Sequence, residues 1–304
     1  MASALVIGYG SIGARHARIL GSLGCNTAVV SQRAVRFPQV FQDIRQALSE
    51  HAPDYVVIAN ATDQHRASLE TLAHLDFQGI VLVEKPLFDH FFALPSHRFR
   101  CAAVAYNLRF HPLLQEMREV LCGETILMAQ AYAGQYLPDW RPGMDYRTTY
   151  SADATRGGGV LRDLSHELDY LGWLLGPVLS VAALGGHVST LEISSDDAFA
   201  MLFTTARCPI VSLQLNYLDR NVRRVLVVNT ADHTFEADFV RGTFTVDGTV
   251  NQIVVDRDST YRSMHVALLE GNAQSLCSLD EGLATLRLVE TASTAASQGE
   301  WIKS

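Results

Sequence analysis

The chain has 304 residues, 48% of them hydrophobic and 18% charged, which is typical of a globular protein and long enough for two domains. Its net charge of −8 argues against a broad basic surface for nucleic acid or anionic lipid. The five cysteines are scattered and form no Cys-x-x-Cys pair, which favours a reducing compartment. The sequence starts directly with an apolar strand, and its longest apolar stretch, 171–185, contains Gly-Pro. We therefore predict a cytoplasmic protein with neither a membrane nor a nucleic-acid partner.

Strands and helices alternate over the first hundred residues. This order predicts an α/β Rossmann domain, built on a doubly wound parallel sheet, over residues 1–105. The strand segments are continuous apolar runs, as expected where both faces of a sheet are covered. Strands are predicted at 4–8, 27–30, 55–60 and 80–83. Helices are predicted at 11–23, 41–49 and 63–75, with a shortened one at 88–94.

Alternating apolar and polar residues dominate after residue 105 and predict an α+β domain over 106–304, with an open, mainly antiparallel sheet. One helix is predicted near 160–175 and another at about 280–297, which we expect to pack back on the first domain. An open sheet leaves one face to be covered, so we predict a homodimer or homotetramer through this sheet. The predicted strands cover 125–135, 179–188, 198–204, 210–217, 223–229, 234–239 and 249–256.

A glycine turn follows the first predicted strand and opens the first helix. Gly8 permits the tight turn, Gly10 allows a pyrophosphate to approach the backbone, and Gly13 lets the helix pack close to the strand. The helix begins at Ser11 and Ile12, where backbone amides and the positive end of the dipole favour an anion. The pattern predicts a dinucleotide site.

The residues after the second predicted strand bear on the choice of dinucleotide. An NAD site usually carries an acidic residue here for the ribose 2′-hydroxyl, whereas this chain has Ser31, Arg33 and Arg36. A hydroxyl and guanidinium groups suit a 2′-phosphate, so we predict NADP as the cofactor, with NAD as the alternative. A solvated basic loop would look the same in sequence.

Two further strands are predicted to end in polar residues. Asn60, Ala61 and Thr62 are placed to contact the cofactor, although Thr62 is equally suited to cap the helix that follows. Glu84 and Lys85 end the next strand, and Lys85 is one of only two lysines in the chain. Lysine, unlike arginine, loses its proton when partly desolvated, as acid–base chemistry requires.

Motifs along nearly the whole chain resemble the glucose–fructose oxidoreductase/inositol dehydrogenase/MocA (Gfo/Idh/MocA) oxidoreductases. Each motif is modest alone, but their order and spacing together are specific. They are the early glycine turn, Asn60-Ala61-Thr62 with His65, Glu84-Lys85-Pro86, the segment 106–112 (Tyr-Asn-Leu-Arg-Phe-His-Pro) and the segment 157–169 from Gly157 to Asp169.

The resemblance implies hydride exchange between a nicotinamide and a hydroxyl-bearing or keto carbon of a sugar-type substrate. It places Lys85 beside the nicotinamide as the acid–base or orienting group, adds His65 and Glu84 to the cofactor residues, and implies a cis peptide before Pro86. Two other functions stay open: redox-assisted glycoside cleavage with a recycled dinucleotide, and a non-catalytic cofactor-sensing regulator. Retention of Lys85 and His166 together argues against the regulator.

The segment 157–176 also predicts function from its own pattern. Leucines recur at helical spacing on one side, and polar or aromatic residues fall on the other. His166 is therefore expected to face a cleft or solvent, close to Asp163, and both are candidate catalytic residues. Related proteins commonly place an aspartate four residues before the histidine, whereas Asp163 is three before. The apolar side comprises Leu164, Leu168, Leu171 and Leu175. The other side comprises Asp163, His166, Tyr170 and Trp173.

The loop 134–155 combines aromatic residues with arginines, a set that suits a sugar ring carrying an anionic group. A nucleotide-linked or acidic sugar, as in surface-glycan biosynthesis, fits these residues better than a neutral sugar. A solvated connector whose aromatics pack on the sheet is an equal alternative. No metal site is predicted, because the histidines are not clustered with carboxylates at ligand spacing. The candidate substrate residues are Arg109, Trp140, Arg141, Tyr146, Arg147 and His166.

Overall fold

The structure, a computed structural model, describes residues 2–303. Its residues form two compact units. The first comprises the chain up to residue 110 together with 257–283, and the second comprises 111–256 together with the residues from 284 onward. The first unit contains a mainly parallel sheet and the second a mainly antiparallel sheet, so the predicted fold class is confirmed.

We number the strands and α-helices in chain order. The strands are β1 (Ser3–Ile7), β2 (Asn26–Val30), β3 (Val40–Phe41), β4 (Tyr55–Ile58), β5 (Ile80–Val83), β6 (Cys101–Val104), β7 (Ile126–Gly134), β8 (Val178–Gly186), β9 (Ala198–Thr205), β10 (Val211–Asn216), β11 (Arg223–Thr230), β12 (Thr234–Asp238), β13 (Thr243–Val246), β14 (Thr249–Gln252), β15 (Cys277–Ser278) and β16 (Ile302–Lys303). The helices are α1 (Ser11–Ser22), α2 (Ile44–His51), α3 (Thr62–His74), α4 (Pro112–Val120), α5 (Val160–Asp163), α6 (Ser165–Leu175), α7 (Ser259–Glu270) and α8 (Leu279–Gln298).

The sheet of the first unit has the order β15-β6-β5-β4-β1-β2-β3, and within residues 2–303 only the edge strand β15 is antiparallel to its neighbour. Every residue of β4 and β5 is buried, which explains their unbroken apolar sequences. Because β5, β4 and β1 are adjacent and parallel, the residues that follow them lie at one edge of the sheet. Helices α1 and α7 contribute to the same hydrophobic core, through residues such as Leu20 and Met264.

The sheet of the second unit has nine strands in the order β14-β13-β12-β11-β7-β10-β9-β8-β16. All neighbours pair antiparallel except β7 and β10, which are parallel. Buried and exposed residues alternate along β9, as expected where one face of a sheet is packed and the other is open. Leu184 and Leu202, 73% and 51% exposed, lie on paired strands of this sheet.

Three local predictions need correction, and two helices were not predicted. No helix forms at 88–94, where the chain has no regular structure up to β6. The helix predicted from residue 41 begins at Ile44, because Phe41 belongs to a short strand beside β2. The strand predicted at 249–256 ends at Gln252. Helices α4 and α7 were not predicted, although Pro112 at the first position of α4 is a common start signal.

Across residues 2–303, no helix is both long and apolar enough to cross a membrane.

Candidate functional site

The glycine turn of the first unit has the geometry that each predicted role requires. Gly8 has a φ of +92°, and a Cβ there would lie 2.5 Å from Asn60 Cα. A Cβ on Gly13 would lie 2.0 Å from Gly8 O, so only glycine allows α1 to start this close to β1. A Cβ on Gly10 would meet no atom within 4 Å, which leaves open space over the turn.

The N-terminus of α1 is free to bind an anion. Gly10 is its N-cap, and among residues 2–303 no side-chain hydrogen bond caps the first amides of the helix. Its twelve residues, from Ser11 to Ser22, are enough to build a dipole. Open space at Gly10 and uncapped amides at Ser11 and Ile12 together fit a dinucleotide pyrophosphate.

The loop after β2 is organised by Ser31. Its hydroxyl donates to Arg33 O over 3.0 Å and accepts from Arg33 N over 3.1 Å. Ser31 itself is 8% exposed, whereas the side chains of Arg33 and Arg36 are exposed. The hydroxyl therefore shapes the loop, and the two guanidinium groups remain accessible to a ligand.

The segment after β4 contains an unsatisfied buried atom. Asn60 Nδ2 donates to Ser68 Oγ over 2.9 Å, while the buried Asn60 Oδ1 has no hydrogen-bond partner within residues 2–303. Such an orphaned acceptor beside the glycine turn fits a ligand that brings a donor. Thr62 is the first residue of α3, whose N-cap is Ala61. The alternative role of Thr62 as the cap is therefore wrong.

His65 connects the ends of β4 and β5. Its Nδ1 lies 3.1 Å from Pro86 O, and its Nε2 lies 3.3 Å from Asn60 O. Burial lowers the pKa of His65, so the ring is neutral and its single N–H donates to one of these carbonyls at a time. His65 therefore lies between two loops of the site and donates a hydrogen bond to one of them.

Glu84 and Lys85 follow β5 directly. Glu84 is 7% exposed, its Oε1 lies 2.8 Å from His16 Nε2, and its Oε2 accepts from Lys85 N over 3.1 Å. The peptide between Lys85 and Pro86 is cis, as the family resemblance implied. One carboxylate oxygen of Glu84 thus fixes the backbone at Lys85, and the other is held by His16.

Two side chains behind this segment, His16 and Tyr55, were not predicted from the sequence. His16 is on α1, three residues after Gly13, and is completely buried. Its Nδ1 lies 2.8 Å from His265 Nε2, and Tyr55 OH lies 2.7 Å from His265 Nδ1. A histidine one turn after the glycine motif was the only signal in the sequence, because its partner lies 249 residues away.

In the second unit, Asp163 is held by two phenols. Tyr150 OH donates to its Oδ1, and Tyr217 OH donates to its Oδ2 over 2.6 Å. Burial, followed by the charge of Asp163, raises the pKa of both tyrosines well above its usual value. The two phenols therefore remain donors, and Asp163, 6% exposed, lies in a rigid arrangement.

The predicted single helix at 160–175 is interrupted between Asp163 and His166. Helix α5 ends at Asp163, Leu164 adopts φ −97° and ψ 28°, and α6 starts at Ser165. The predicted division into an apolar and an open side is wrong in part, because Asp163 and Tyr170 are buried. His166 is partly exposed, in line with its expected position.

Two predicted substrate residues join the Asp163 cluster. The ring of Trp140 packs edge-on against that of Tyr217, with centroids 5.1 Å apart, and its Nε1 donates to Gln135 O. The Arg141 guanidinium lies 6.0 Å from the centre of the Tyr150 ring. Trp140, Arg141 and Asp163 are therefore brought together around the two tyrosines.

Three other predicted substrate residues have structural partners. Arg147 is 51% exposed and forms ion pairs with Asp145 and Glu192. Tyr146 OH accepts from the backbone of Glu192. Arg109, in the first unit, is 2% exposed and donates to Leu276 O and to Glu281 Oε1 over 2.9 Å. These contacts favour structural roles for Arg109 and Arg147.

Among residues 2–303, no group of three or more His, Cys, Asp or Glu side chains is arranged to hold a metal ion.

Comparison with known proteins supports the fold and the family. The sequence model of the GFO/IDH/MocA C-terminal domain matches residues 116–249. No curated protein matches the chain. Among solved structures, GenD2 from gentamicin A biosynthesis, in complex with NAD, is 19% identical with a TM-score of 0.79, covering 100% of this chain and 96% of its own.

Two further structures are similar over almost their full length. Levoglucosan dehydrogenase, in complex with NADH and levoglucosan, is 16% identical with a TM-score of 0.82, covering 99% of this chain and 98% of its own. The WlbA dehydrogenase from Bordetella pertussis, in complex with NADH and UDP-GlcNAcA, is 17% identical with a TM-score of 0.78, covering 100% and 97%. The resemblance to the Gfo/Idh/MocA oxidoreductases is therefore confirmed, through the match of residues 116–249 to the C-terminal domain model of that family.

Proposed function

We propose that the protein is an NAD(P)-dependent oxidoreductase that exchanges a hydride between a nicotinamide and a hydroxyl-bearing or keto carbon of a sugar-type substrate. The observation that carries this proposal is the placement of Lys85 directly after β5, in the row of strand ends that also presents Gly8 and Asn60. The similar structures of GenD2 with NAD, and of levoglucosan dehydrogenase and WlbA with NADH, support a nicotinamide cofactor and a sugar substrate.

The cofactor would be held by residues of the first unit. The uncapped amides at Ser11 and Ile12, with the open space at Gly10, suit its pyrophosphate. The exposed Arg33 suits a 2′-phosphate, which supports NADP over NAD. Asn60 Oδ1, a buried acceptor lacking a partner within residues 2–303, suits a donor of the cofactor. When bound, the nicotinamide supplies the hydride acceptor or donor.

Lys85 would supply the proton transfer. In the oxidation direction its neutral amine takes the proton of the substrate hydroxyl, and in the reduction direction its ammonium returns that proton. Glu84 holds the backbone at Lys85 through its Oε2, so the lysine starts from a fixed position. A fixed origin restricts the volume that the amine explores and keeps it near the reacting oxygen.

The second unit would supply the residues that recognise the substrate. Asp163, fixed by Tyr150 and Tyr217, offers a rigid carboxylate, and His166 offers an imidazole two residues beyond the helix break. Arg141 and Trp140 lie in the same cluster and suit an anionic group and a sugar ring. This set supports an acidic or nucleotide-linked sugar, as used in surface-glycan biosynthesis.

The apolar side chains left exposed on the sheet of the second unit support self-association. We propose a homodimer or homotetramer through that sheet, in the cytoplasm. The large exposures of Leu184 and Leu202 on adjacent strands give this face an apolar surface.

The proposed reaction is tested by following the absorbance of reduced nicotinamide with panels of free, phosphorylated and nucleotide-linked sugars, in both directions and with both dinucleotides. Turnover with one class identifies the substrate and the cofactor together. Binding of NADPH without turnover of any sugar, combined with glycoside cleavage or with no chemistry, would contradict the dehydrogenase function in favour of the glycosidase or the regulator.

Replacement of Gly10 by alanine is expected to weaken dinucleotide binding about tenfold or more while changing the melting temperature little. The added methyl group meets no protein atom within 4 Å, so its cost falls on the ligand that approaches the turn. Gly21→Ala is the matched control, because Gly21 is on the same helix and its Cβ would also meet nothing. Calorimetric titration with NADPH and with NADH measures the dinucleotide affinity of both variants. Equal affinity of Gly10→Ala and wild type would contradict the placement of the pyrophosphate.

Charge reversal at Arg33 is expected to weaken NADPH binding about 10–100-fold and NADH binding far less, because only NADPH carries the 2′-phosphate. Arg100→Glu makes the same change in charge at an exposed residue at the start of β6, the opposite edge of the parallel sheet. It should affect both dinucleotides equally and weakly. Equal losses of NADPH and NADH binding in Arg33→Glu would show that the arginine does not select the cofactor.

A further inference from the structure

Four buried side chains of the first unit form a continuous hydrogen-bonded series that ends next to Lys85. Tyr55 OH lies 2.7 Å from His265 Nδ1, His265 Nε2 lies 2.8 Å from His16 Nδ1, and His16 Nε2 lies 2.8 Å from Glu84 Oε1. Tyr55, His265 and His16 are completely buried, and Glu84 is 7% exposed. We call this series the Tyr55–Glu84 chain.

The Tyr55–Glu84 chain connects four different elements. Tyr55 is the first residue of β4, and Glu84 follows the last residue of the adjacent parallel strand β5. His16 and His265 are supplied by α1 and α7. The Tyr55–Glu84 chain therefore extends from the amino edge of the parallel sheet to the carboxyl edge, where the candidate site lies. Packing alone does not require polar side chains along this path, since apolar ones would fill it at lower cost.

Counting protons fixes the direction of these bonds. Three contacts need three protons, and one tyrosine with two neutral histidines supplies three. Tyr55 OH has no other partner among residues 2–303, so its only proton is donated to His265 Nδ1. His265 must then donate from Nε2 to His16, and His16 must donate from Nε2 to Glu84. Glu84 accepts at both oxygens, from His16 and from Lys85 N, which is the pattern of a carboxylate.

The electrostatics of the two outer groups agree with this direction. Burial raises the pKa of Tyr55 well above its usual value, so the phenol keeps its proton. Burial, followed by the neighbouring His16, lowers the pKa of His265 well below its usual value, so that ring stays neutral. The competing arrangement, with a doubly protonated His16, would make His265 donate to Tyr55 and leave the Tyr55 proton without an acceptor.

We propose that Tyr55, His265 and His16 are positioning residues that keep a donor facing Oε1 of Glu84 and thereby hold Glu84 Oε2 on the backbone of Lys85. This inference rests on the oxidoreductase function proposed above. The other titratable groups that sense the charge of Glu84 are His65 and Tyr261. Burial keeps His65 neutral, and the Tyr261 ring stacks edge-on against His16 and under Arg15, so neither replaces the donor to Oε1.

The donor-to-acceptor direction of the Tyr55–Glu84 chain is tested on the whole protein, labelled with ¹⁵N-histidine. Long-range ¹H–¹⁵N spectra are recorded without cofactor. His16 and His265 are both expected as neutral rings protonated at Nε2. Tyr55→Phe removes the first donor and is expected to populate a second tautomer at His265. Tyr170→Phe is the control, since this buried phenol of the second unit has no hydrogen-bond partner within residues 2–303. A proton on His265 Nδ1, or a charged His16, in the wild type would overturn the proposal.

The effect on Lys85 is tested by ¹³C-methylation of the amines and NMR, which is simple to read because the protein has only two lysines. His16→Leu removes the donor to Oε1, so Glu84 is no longer held on the Lys85 backbone. The methyl signals of Lys85 are expected to shift and to narrow, because the side chain starts from a more mobile backbone. His16→Gln, whose amide can donate to Glu84, should restore most of the wild-type signal, and Lys303 is the internal reference.

Unchanged Lys85 methyl signals in His16→Leu, or the same change in His16→Gln, would contradict the positioning role. Should His16→Leu fail to fold, Tyr55→Phe carries the test, because a single remaining His265 tautomer in that variant would overturn it. None of these measurements uses a substrate, so their failure is separate from failure of the proposed reaction. If sugar turnover is found, His16→Leu should lower kcat more than it raises KM, whereas His16→Gln should keep kcat and KM close to their wild-type values.

Discussion

Lys85→Ala is expected to lower kcat for the sugar reaction by about 10²–10⁴-fold, the range that a positioned acid–base group supplies. Dinucleotide affinity should change little, because the conformation of the glycine turn at Gly8, Gly10 and Gly13 does not depend on the Lys85 amine. The measurement is steady-state turnover of the identified substrate together with direct titration of the cofactor. A loss in kcat with intact binding assigns the lysine to the chemical step.

Lys303→Ala is the matched control, since Lys303 is the only other lysine and lies exposed on β16. It should leave kcat unchanged. Lys85→Arg separates two roles, because arginine keeps the charge but does not give up its proton at neutral pH. Activity retained in Lys85→Arg would assign Lys85 to orienting the substrate, and activity retained in Lys85→Ala would refute the mechanism altogether.

Loss of the ion pair that connects α6 to β11 is expected to have the second large effect, on the free energy of unfolding. Glu167 is completely buried, and Arg224 of β11 donates to both of its oxygens, over 2.7 and 3.1 Å. Arg224→Leu leaves that carboxylate without its partner and should lower the free energy of unfolding by about 3–5 kcal/mol. Because Glu167 directly follows His166, the substitution also loosens a proposed substrate residue.

The neighbouring arginine provides the control for this prediction. Arg223 is 60% exposed and forms an ion pair with Asp219. Without Arg223, Asp219 would still accept hydrogen bonds from Tyr132 OH and from the backbone amide of Asn221. Arg223→Leu should therefore cost only about 0–1 kcal/mol. Urea or thermal unfolding of both variants measures the difference. Similar losses in the two variants would mean that the buried ion pair of Glu167 contributes no more to the free energy of unfolding than the exposed pair of Arg223.

Local patterns predicted much of the first unit, because their causes are local. A strand that is buried on both faces must be apolar throughout, and β4 and β5 show this in sequence. A turn with positive φ and a close backbone contact needs glycine, which makes Gly8 recognisable. The residues after β4 and β5 could then be assigned to one edge of the sheet from topology alone.

Predictions failed where a distant part of the chain decides the local conformation. A shortened helix was predicted at 88–94, yet this segment has no regular structure. The spacing of Asp163 and His166 suggested one helix, yet the chain breaks at Leu164, and Asp163 is bound by Tyr217 from 54 residues away. Hydrophobic periodicity carries no information about such a partner.

The sequence by itself determined the two-sheet fold class, the glycine turn, the strand ends at Asn60 and Lys85, and the family resemblance. Each of these follows from periodicity or from a backbone conformation that few residue types adopt. Tertiary structure alone decided the partners of the buried polar groups: Glu84 with His16, His16 with His265, and Asp163 with two tyrosines. A buried polar atom must find a partner of complementary donor or acceptor type, and which residue supplies it is settled only when distant segments pack together.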